Sequence, residues 1–298
     1  MRISNNAIYG AIIRNLERAS TDMYRAQEIV STGKRINRPS DDPAGVVSLL
    51  DLRASLANIE QMGKNISRAR SYLDASESAL SQVDKILSNA NTLAIQMATA
   101  TTGASERANS VSLVDGYLRE ILSLANSATG GRYIFGGTNT DTPPFSLSPD
   151  ESRVDFLGNE TAFSIKIDAR SNITAGKNGQ DVFGETGTAE DIFKTIIDLK
   201  TSLMDNDING IQESIDKLDS HMSHVNAGIS DIAGKTIRLD IRENVIAGLE
   251  LNYTERKSRI EEIDIAEAII DLSSRELVYN AALSSASKVM GMSLVNFL

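Results

Sequence analysis

Residues 52–94 read LRASLANIEQMGKNISRARSYLDASESALSQVDKILSNANTLA, and one apolar residue recurs in this stretch at every seventh position. The row consists of Leu52, Ile59, Ile66, Leu73, Leu80, Leu87 and Ala94. A heptad row of this length is typical of long helices that pack side by side. Proline breaks helix interiors, and the sequence has none between Pro43 and Pro143. The stretch therefore predicts a helix from Pro43 to about Gly103, roughly 90 Å long.

The same kind of pattern flanks this stretch on both sides. Near the N-terminus, apolar residues alternate in steps of four and three: Ile12, Leu16, Ala19, Met23, Ala26 and Val30. They predict a helix that begins near Asn5 and ends at a capping glycine, Gly33. Towards the C-terminus, a second heptad row consists of Ile232, Leu239, Ile246, Tyr253 and Ile260, and the last turns carry Leu283, Ala286, Met290, Leu294 and Phe297. Glu261–Glu262 is predicted to lie on a solvated helix face.

Residues 131–187 have a different character. Residues 131–137 read GRYIFGG, a short aromatic and β-branched run between glycines that predicts a strand. Alternating residues at 154–156 and 162–167 predict a strand pair with its turn at 158–160.

The pattern as a whole predicts a mainly α fold. Long N- and C-terminal arms pair as an antiparallel helical rod or coiled-coil bundle, and a small β-containing domain is inserted in the middle. We predict a terminal domain from residues 1–42 plus 265–298. A rod domain is predicted from 43–130 plus 188–264, and a β-rich domain from 131–187.

Composition excludes several kinds of site. The 298 residues include no cysteine, which removes disulfides, thiolate metal sites and cysteine nucleophiles. Lys and Arg number 30 against 40 Asp and Glu, so the formal net charge is −10. An acidic chain is not expected to bind nucleic acid, which requires a basic face. No apolar window approaches 18 residues, and we expect no membrane insertion and no cleavable signal peptide.

Sites for catalysis, cofactors or metals are not expected. His221 and His224 are the only histidines, and their spacing of three would let both face one metal ion. No cluster of further ligands lies nearby in sequence, so we interpret both as surface residues. The glycine pairs at 130–131 and 136–137 lack the following Gly-Lys-Ser/Thr of a phosphate loop. We therefore predict no enzyme activity and no cofactor.

Three motifs resemble the bacterial flagellin family. Residues 31–45 read STGKRINRPSDDPAG, which is similar to the turn that follows the first helix of that family. Residues 264–268, DIAEA, and the apolar end 294–298, LVNFL, resemble its C-terminal helix. Residues 131–137 with Pro143-Pro144-Phe145, and the GQDVF at 179–183, are similar to the hook–filament junction branch of the family.

The resemblance implies a structural role outside the cell. It implies export, unfolded, by the flagellar type III system, with a cytosolic chaperone holding the C-terminal region beforehand. The exported copies then form a homo-oligomeric layer between the first, hook-side junction protein and the flagellin filament. Under this hypothesis the contacts between copies, and within them, come from Ile12, Leu16, Met23, Val30, Leu277, Leu283, Met290, Leu294 and Phe297.

The turn after the first helix is predicted to fix the bend between the terminal and rod domains. We expect Gly33 and Asn37 to shape it. Arg35 and Arg38 are expected to form ion pairs with Asp41 and Asp42.

Other functions remain open at this point. The chain could be a filament flagellin rather than a junction protein. A secreted coiled-coil effector or adhesin would instead act through residues 131–187. A metal enzyme would depend on His221 and His224.

Overall fold

The computed structural model describes residues 5–168, 171–174, 176–188 and 190–295; side chains are described from 7 to 288, except that of Ile8. The helices are α1 (Asn5–Thr32), α2 (Pro43–Met97), α3 (Ala104–Ala125), α4 (Gln180–Phe183), α5 (Ile192–Met204), α6 (Ile208–Glu261) and α7 (Ile265–Val295). The strands are β1 (Ala128–Thr129), β2 (Arg132–Tyr133), β3 (Phe145–Leu147), β4 (Val154–Phe156), β5 (Ser164–Lys166) and β6 (Asn172–Thr174). The mainly α prediction with a small β-containing insertion is confirmed.

Two compact units are distinguished, one formed by Met1–Ile59 with Ala247–Leu298 and the other by Glu60–Ile246. We call them the terminal unit and the central unit. The boundaries fall inside α2 and α6. The division into three domains stays a prediction.

The terminal unit contains α1, α7 and the adjoining ends of α2 and α6. Helices α1 and α7 pack against each other. Helix α1 ends where predicted, because Gly33 has a φ of 69°, which only glycine adopts readily. Helix α2 begins at Pro43, and the Asp42 carboxylate accepts the Gly45 N–H at 2.8 Å. Proline at the first helical position after an acidic cap is a strong start signal.

The core of the central unit follows the heptad rows. Ile66, Leu73, Leu80, Leu87 and Ala94 of α2 are all at most 2% exposed. The α6 row extends further towards the N-terminus than predicted: Ile211, Leu218, Val225, Ile232 and Leu239 are fully buried.

Polar contacts show that α2 and α6 run antiparallel in this unit. Arg70 bonds Asp240 at 2.6 Å, and Asn91 bonds Asp219 at 2.6 Å. The residue number on α6 falls from 240 to 219 as the residue number on α2 rises from 70 to 91, so the two helices run in opposite directions.

The inserted strands form three separate antiparallel pairs, β1–β2, β3–β4 and β5–β6. The predicted pairing of residues 154–156 with 162–167 is wrong. Strand β4 instead pairs with β3, with Phe145 opposite Phe156, and β5 pairs with β6. The predicted strand at 131–137 shrinks to β2, which Gly130 and Gly131 join to β1 in a tight turn with positive φ at both positions.

Phenylalanines fill the centre of the insertion. Phe145 lies 5.1 to 5.3 Å, between ring centroids, from Phe156, Phe183 and Phe193. Six of the seven phenylalanines of the chain lie between 135 and 193, so the scarce aromatic residues are concentrated in one place.

Candidate assembly interface

A seam of buried and partly buried side chains joins α1 to α7. On α1 every member is buried or partly buried: Tyr9, Ile12, Leu16, Ala19, Met23, Ala26 and Val30. On α7 the corresponding residues are Ala268, Leu272, Arg275, Tyr279, Ala282 and Ala286. Only Ala26 and Ala286 are fully buried, at 3% and 6% exposed. The seam therefore covers only a narrow stripe of each helix.

The opposite face of α7 also exposes large apolar side chains. Ile270 is 71% exposed and Leu277 is 72% exposed, and each lies about half a turn around the helix from the seam. Further exposed residues of α7 are Ile265, Ile269, Val278 and Leu283. A helix that is apolar on both faces is normally buried on both. This face of α7 is the candidate interface.

The predicted contact residues divide between these two faces. Ile12, Leu16, Met23 and Val30 lie in the α1 seam. Leu277 does not pack against α1 within the chain, because the α7 seam passes through Tyr279, about half a turn away. Leu283 lies at the edge of the seam and is 47% exposed. The side chains of Met290 and Leu294, and the whole of Phe297, lie outside the described residues. Sequence reasoning included Ala286 but missed Ala268 and Ala282, although the steps of three and four between the seam residues were visible.

The turn between α1 and α2 is held by a carboxylate. Asp41 Oδ2 accepts the backbone N–H groups of Arg38 at 2.8 Å and Asn37 at 3.1 Å. The Arg38 hydrogen bond is the main cause that lowers the pKa of Asp41. Asn37 also donates to the Lys34 carbonyl at 3.0 Å. Residues 37–41 therefore form a local turn that is closed by hydrogen bonds.

The arginines of this turn pair differently from the prediction. Arg35 lies 3.8 Å from the Asp42 carboxylate, a long ion pair. The Arg38 guanidinium bonds Glu28 at 2.9 Å instead of Asp41 or Asp42. The prediction for Arg38 is wrong, since the Asp41 oxygen that faces it is occupied by backbone N–H groups.

Glu261 is a buried charge of the terminal unit, although sequence reasoning placed it on a solvated face. It is 3% exposed and bonds Lys34 at 2.8 Å and Arg53 at 2.7 Å. Burial raises its pKa, but the hydrogen bonds and charges of Lys34 and Arg53 outweigh burial, and the net pKa is lowered. Arg35 adds two bonds to this point: its N–H donates to the Glu261 carbonyl at 2.7 Å, and its guanidinium to the Ile260 carbonyl at 3.1 Å. These bonds tie the turn to the end of α6.

The two histidines of the central unit make structural contacts. His221 is buried, and its Nε2 lies 2.8 Å from the Thr195 hydroxyl. Burial, followed by the charges of His224 and Lys217, lowers the pKa of His221 to about 4. The interpretation of His221 as a surface residue is wrong. Within the described ranges, no three His, Asp or Glu side chains are grouped to hold a metal ion.

None of the helices within the described residues is both long enough and apolar enough to cross a bilayer.

Known proteins resemble the chain in sequence and fold. Residues 3–140 match the family described as the bacterial flagellin N-terminal helical region. Flagellar hook-associated protein 3 of Escherichia coli is 24% identical over 99% of this chain and 98% of that protein.

Two solved structures share the fold. A flagellar hook-associated protein from Vibrio parahaemolyticus superposes with a TM-score of 0.68 at 20% identity, covering 74% of this chain and all of that one. The flagellar junction protein FlgL of Legionella pneumophila gives a TM-score of 0.59 at 14% identity, with the same coverage.

Proposed function

We infer that this chain is a structural subunit of the bacterial flagellum. Its residues 3–140 match the N-terminal helical region of the bacterial flagellins, and it is similar along nearly its whole length to flagellar hook-associated protein 3. We propose that its copies form the junction layer between the hook-side junction protein and the flagellin filament. The role is mechanical and not catalytic.

The exposed apolar face of α7 is the observation that supports this role. Ile270 and Leu277 expose more than two thirds of their side-chain surface, although the opposite face of the same helix already packs on α1. Burying such a side chain contributes roughly 1.5–3 kcal/mol. A neighbouring copy that covers this face would therefore stabilise each terminal unit by several kcal/mol before ordering costs.

Repetition makes such a contact durable. Each copy in a closed or helical array uses the same contact with its neighbours, so modest pair energies add up across the layer. We propose that Leu277 and Leu283, with Met290, Leu294 and Phe297 further along the chain, make the contacts between copies. Ile12, Leu16, Met23 and Val30 hold α1 against α7 within each copy.

The apolar face also requires protection before assembly. Exposed apolar surface of this kind promotes aggregation in free chains. We propose that a cytosolic export chaperone covers the C-terminal region until the flagellar type III system exports the chain. The layer is then found outside the cell.

Electron microscopy of a deletion strain tests the role. We expect hooks without filaments, with flagellin lost into the medium, and recovery of filaments when the full-length chain is returned. If the deletion strain instead releases no flagellin into the medium, the deleted chain is the filament flagellin. Filaments that stay attached in the deletion strain would contradict both functions.

A double variant then tests the face. Ile270→Asp/Leu277→Asp is expected to abolish filament attachment while the isolated chain keeps its helix content, because both side chains face water in the single copy. The matched control is Ile237→Asp/Ile241→Asp, two exposed apolar residues of α6 in the central unit. Equal loss in both variants would show that α7 has no special part in assembly.

A further inference from the structure

A cleft in the central unit is lined by two arginines that have no ion-pair partner among the described residues. It has a volume of about 400 Å³ and is lined by Arg68, Ser71, Tyr72, Thr129, Gly130 and Arg132. Arg68, Ser71 and Tyr72 share one side of α2, because residues three and four apart on a helix are neighbours. Thr129, Gly130 and Arg132 belong to the β1–β2 hairpin. One wall of the cleft is therefore a helix and the other a tight turn.

Both walls are fixed by local structure. Thr129 pairs directly with Arg132 across the two-residue turn, and the positive φ values of Gly130 and Gly131 set that turn. The Tyr72 ring is 6% exposed and lies 5.5 Å from Phe163, between ring centroids. The arginines therefore extend from anchored backbone and not from a loose loop.

Several arginines of this unit are in ion pairs, whereas Arg68, Arg132 and Arg238 have none among the described residues. Arg70, two residues from Arg68, bonds both Asp240 and Glu243 at 2.6 and 2.7 Å. Arg119 and Arg242 are also in ion pairs. Within the described part of the chain, neither Arg68 nor Arg132 has an ion pair or a side-chain hydrogen bond. Although the chain has 40 acidic residues against 30 basic ones, none of the described carboxylates pairs with either guanidinium group of this cleft.

We propose that this cleft binds side-chain carboxylates of a second copy of this chain. Guanidinium matches a carboxylate in shape and can donate two parallel hydrogen bonds to it. The Thr129 hydroxyl adds a further donor, whereas the Ser71 hydroxyl already donates to the Ser67 carbonyl at 3.1 Å. Each copy has a surplus of ten acidic residues, so a neighbouring copy supplies the required charge. This contact rests on the proposed layer function.

The cleft also indicates the geometry of the contact. Two identical basic clefts repel each other, so they cannot meet face to face across a two-fold axis. The carboxylates must come from a different surface of the neighbouring copy. Where that surface lies on the opposite side of the copy, the contact is head-to-tail and generates rings or helices, which are the arrangements a layer requires.

Charge reversal tests the cleft. Arg68→Glu/Arg132→Glu is expected to reduce the number of attached filaments per cell about tenfold or more, because like charges then meet at every contact. The matched control, Lys85→Glu/Arg238→Glu, reverses two exposed cations elsewhere in the central unit with the same change in net charge. Circular dichroism checks that both variants keep their helix content. Equal filament numbers in the two variants would overturn the proposal.

Cross-linking identifies the occupant. Since the chain has no cysteine, Ser71→Cys carries a single thiol for a benzophenone cross-linker, used on isolated hook–filament junctions. We expect a product of two copies of this chain, with the cross-linked peptide containing Asp or Glu. Cross-links only to flagellin or to the hook-side protein, or none, would overturn the proposal. Filaments restored by the labelled chain would still support the layer function in that case.

Discussion

The two units of this molecule bury their apolar residues to very different degrees. In the central unit, Leu80, Leu87, Phe183 and Phe193 are completely buried. Among the described side chains of the α1–α7 seam in the terminal unit, only two are buried, both alanine, and Leu277 on the outer face is 72% exposed. The central unit thus encloses a complete core. The terminal unit leaves apolar side chains exposed that a neighbouring copy would bury. The difference therefore points to the terminal unit as the part through which copies are proposed to assemble.

The largest expected effect is a cavity in the central core. Phe145→Ala removes the ring that contacts three other phenylalanines and should lower the free energy of unfolding by about 3–5 kcal/mol. Leu277→Ala in the terminal unit should change it by less than about 0.5 kcal/mol, because its side chain is largely in water. Urea denaturation of the isolated chains measures both. Similar losses in the two variants would remove the distinction between the units.

Acid should affect the central unit first, through His221. Its pKa is about 4 in the fold and 6.5 when unfolded, so the unfolded chain binds the proton more readily between these values. The stability from neutral His221 is complete above pH 6.5 and is lost as the pH falls towards 4, by on the order of 3 kcal/mol.

The variant His221→Gln isolates this contribution. It should lack this part of the pH dependence, which urea midpoints measured from pH 7 to 4 will show. Parallel curves for the variant and the parent chain would contradict the assignment.

A smaller effect is expected from Glu261 in the terminal unit. Glu261→Gln removes the charge that Lys34 and Arg53 share and should weaken the turn by about 1 kcal/mol, since both cations stay half exposed. The lowered pKa means that the stability from this group is present above pH 4.5 and is lost as the pH falls through the folded value.

Hydrogen exchange at the Arg35 amide, which donates to the Glu261 carbonyl, measures this effect locally. We expect about fivefold faster exchange in Glu261→Gln. Unchanged exchange there, or an equal change at Leu80 in the central unit, would show that Glu261 does not act on the turn.

Sequence reasoning succeeded where one repeat dominates. The heptad row from Leu52 to Ala94 predicted the longest helix and its buried side, because burial of one face imposes that period. Gly33 predicted where α1 ends and Pro43 predicted where α2 begins, also for local reasons.

The parts that failed depend on partners distant in sequence. The sequence around Val154 does not indicate that β4 pairs with the preceding strand β3 instead of with the segment that begins at residue 162. Short strands of this kind carry little information about which strand they pair with. Glu261 looked like a surface acid because its cations, Lys34 and Arg53, lie more than 200 positions away. The candidate interface was predicted from resemblance, while the seam of alanines on α7 was too weakly apolar to be noticed.

The two-faced character of α7 has a thermodynamic consequence. Any partner that binds the folded helix but not the unfolded chain shifts its folding equilibrium by mass action. If the outer face is covered by a neighbouring copy, the melting temperature of the terminal unit depends on protein concentration, while that of the central unit does not. The stability of the folded α1 and α7 then depends on contacts between copies as well as on contacts within each copy.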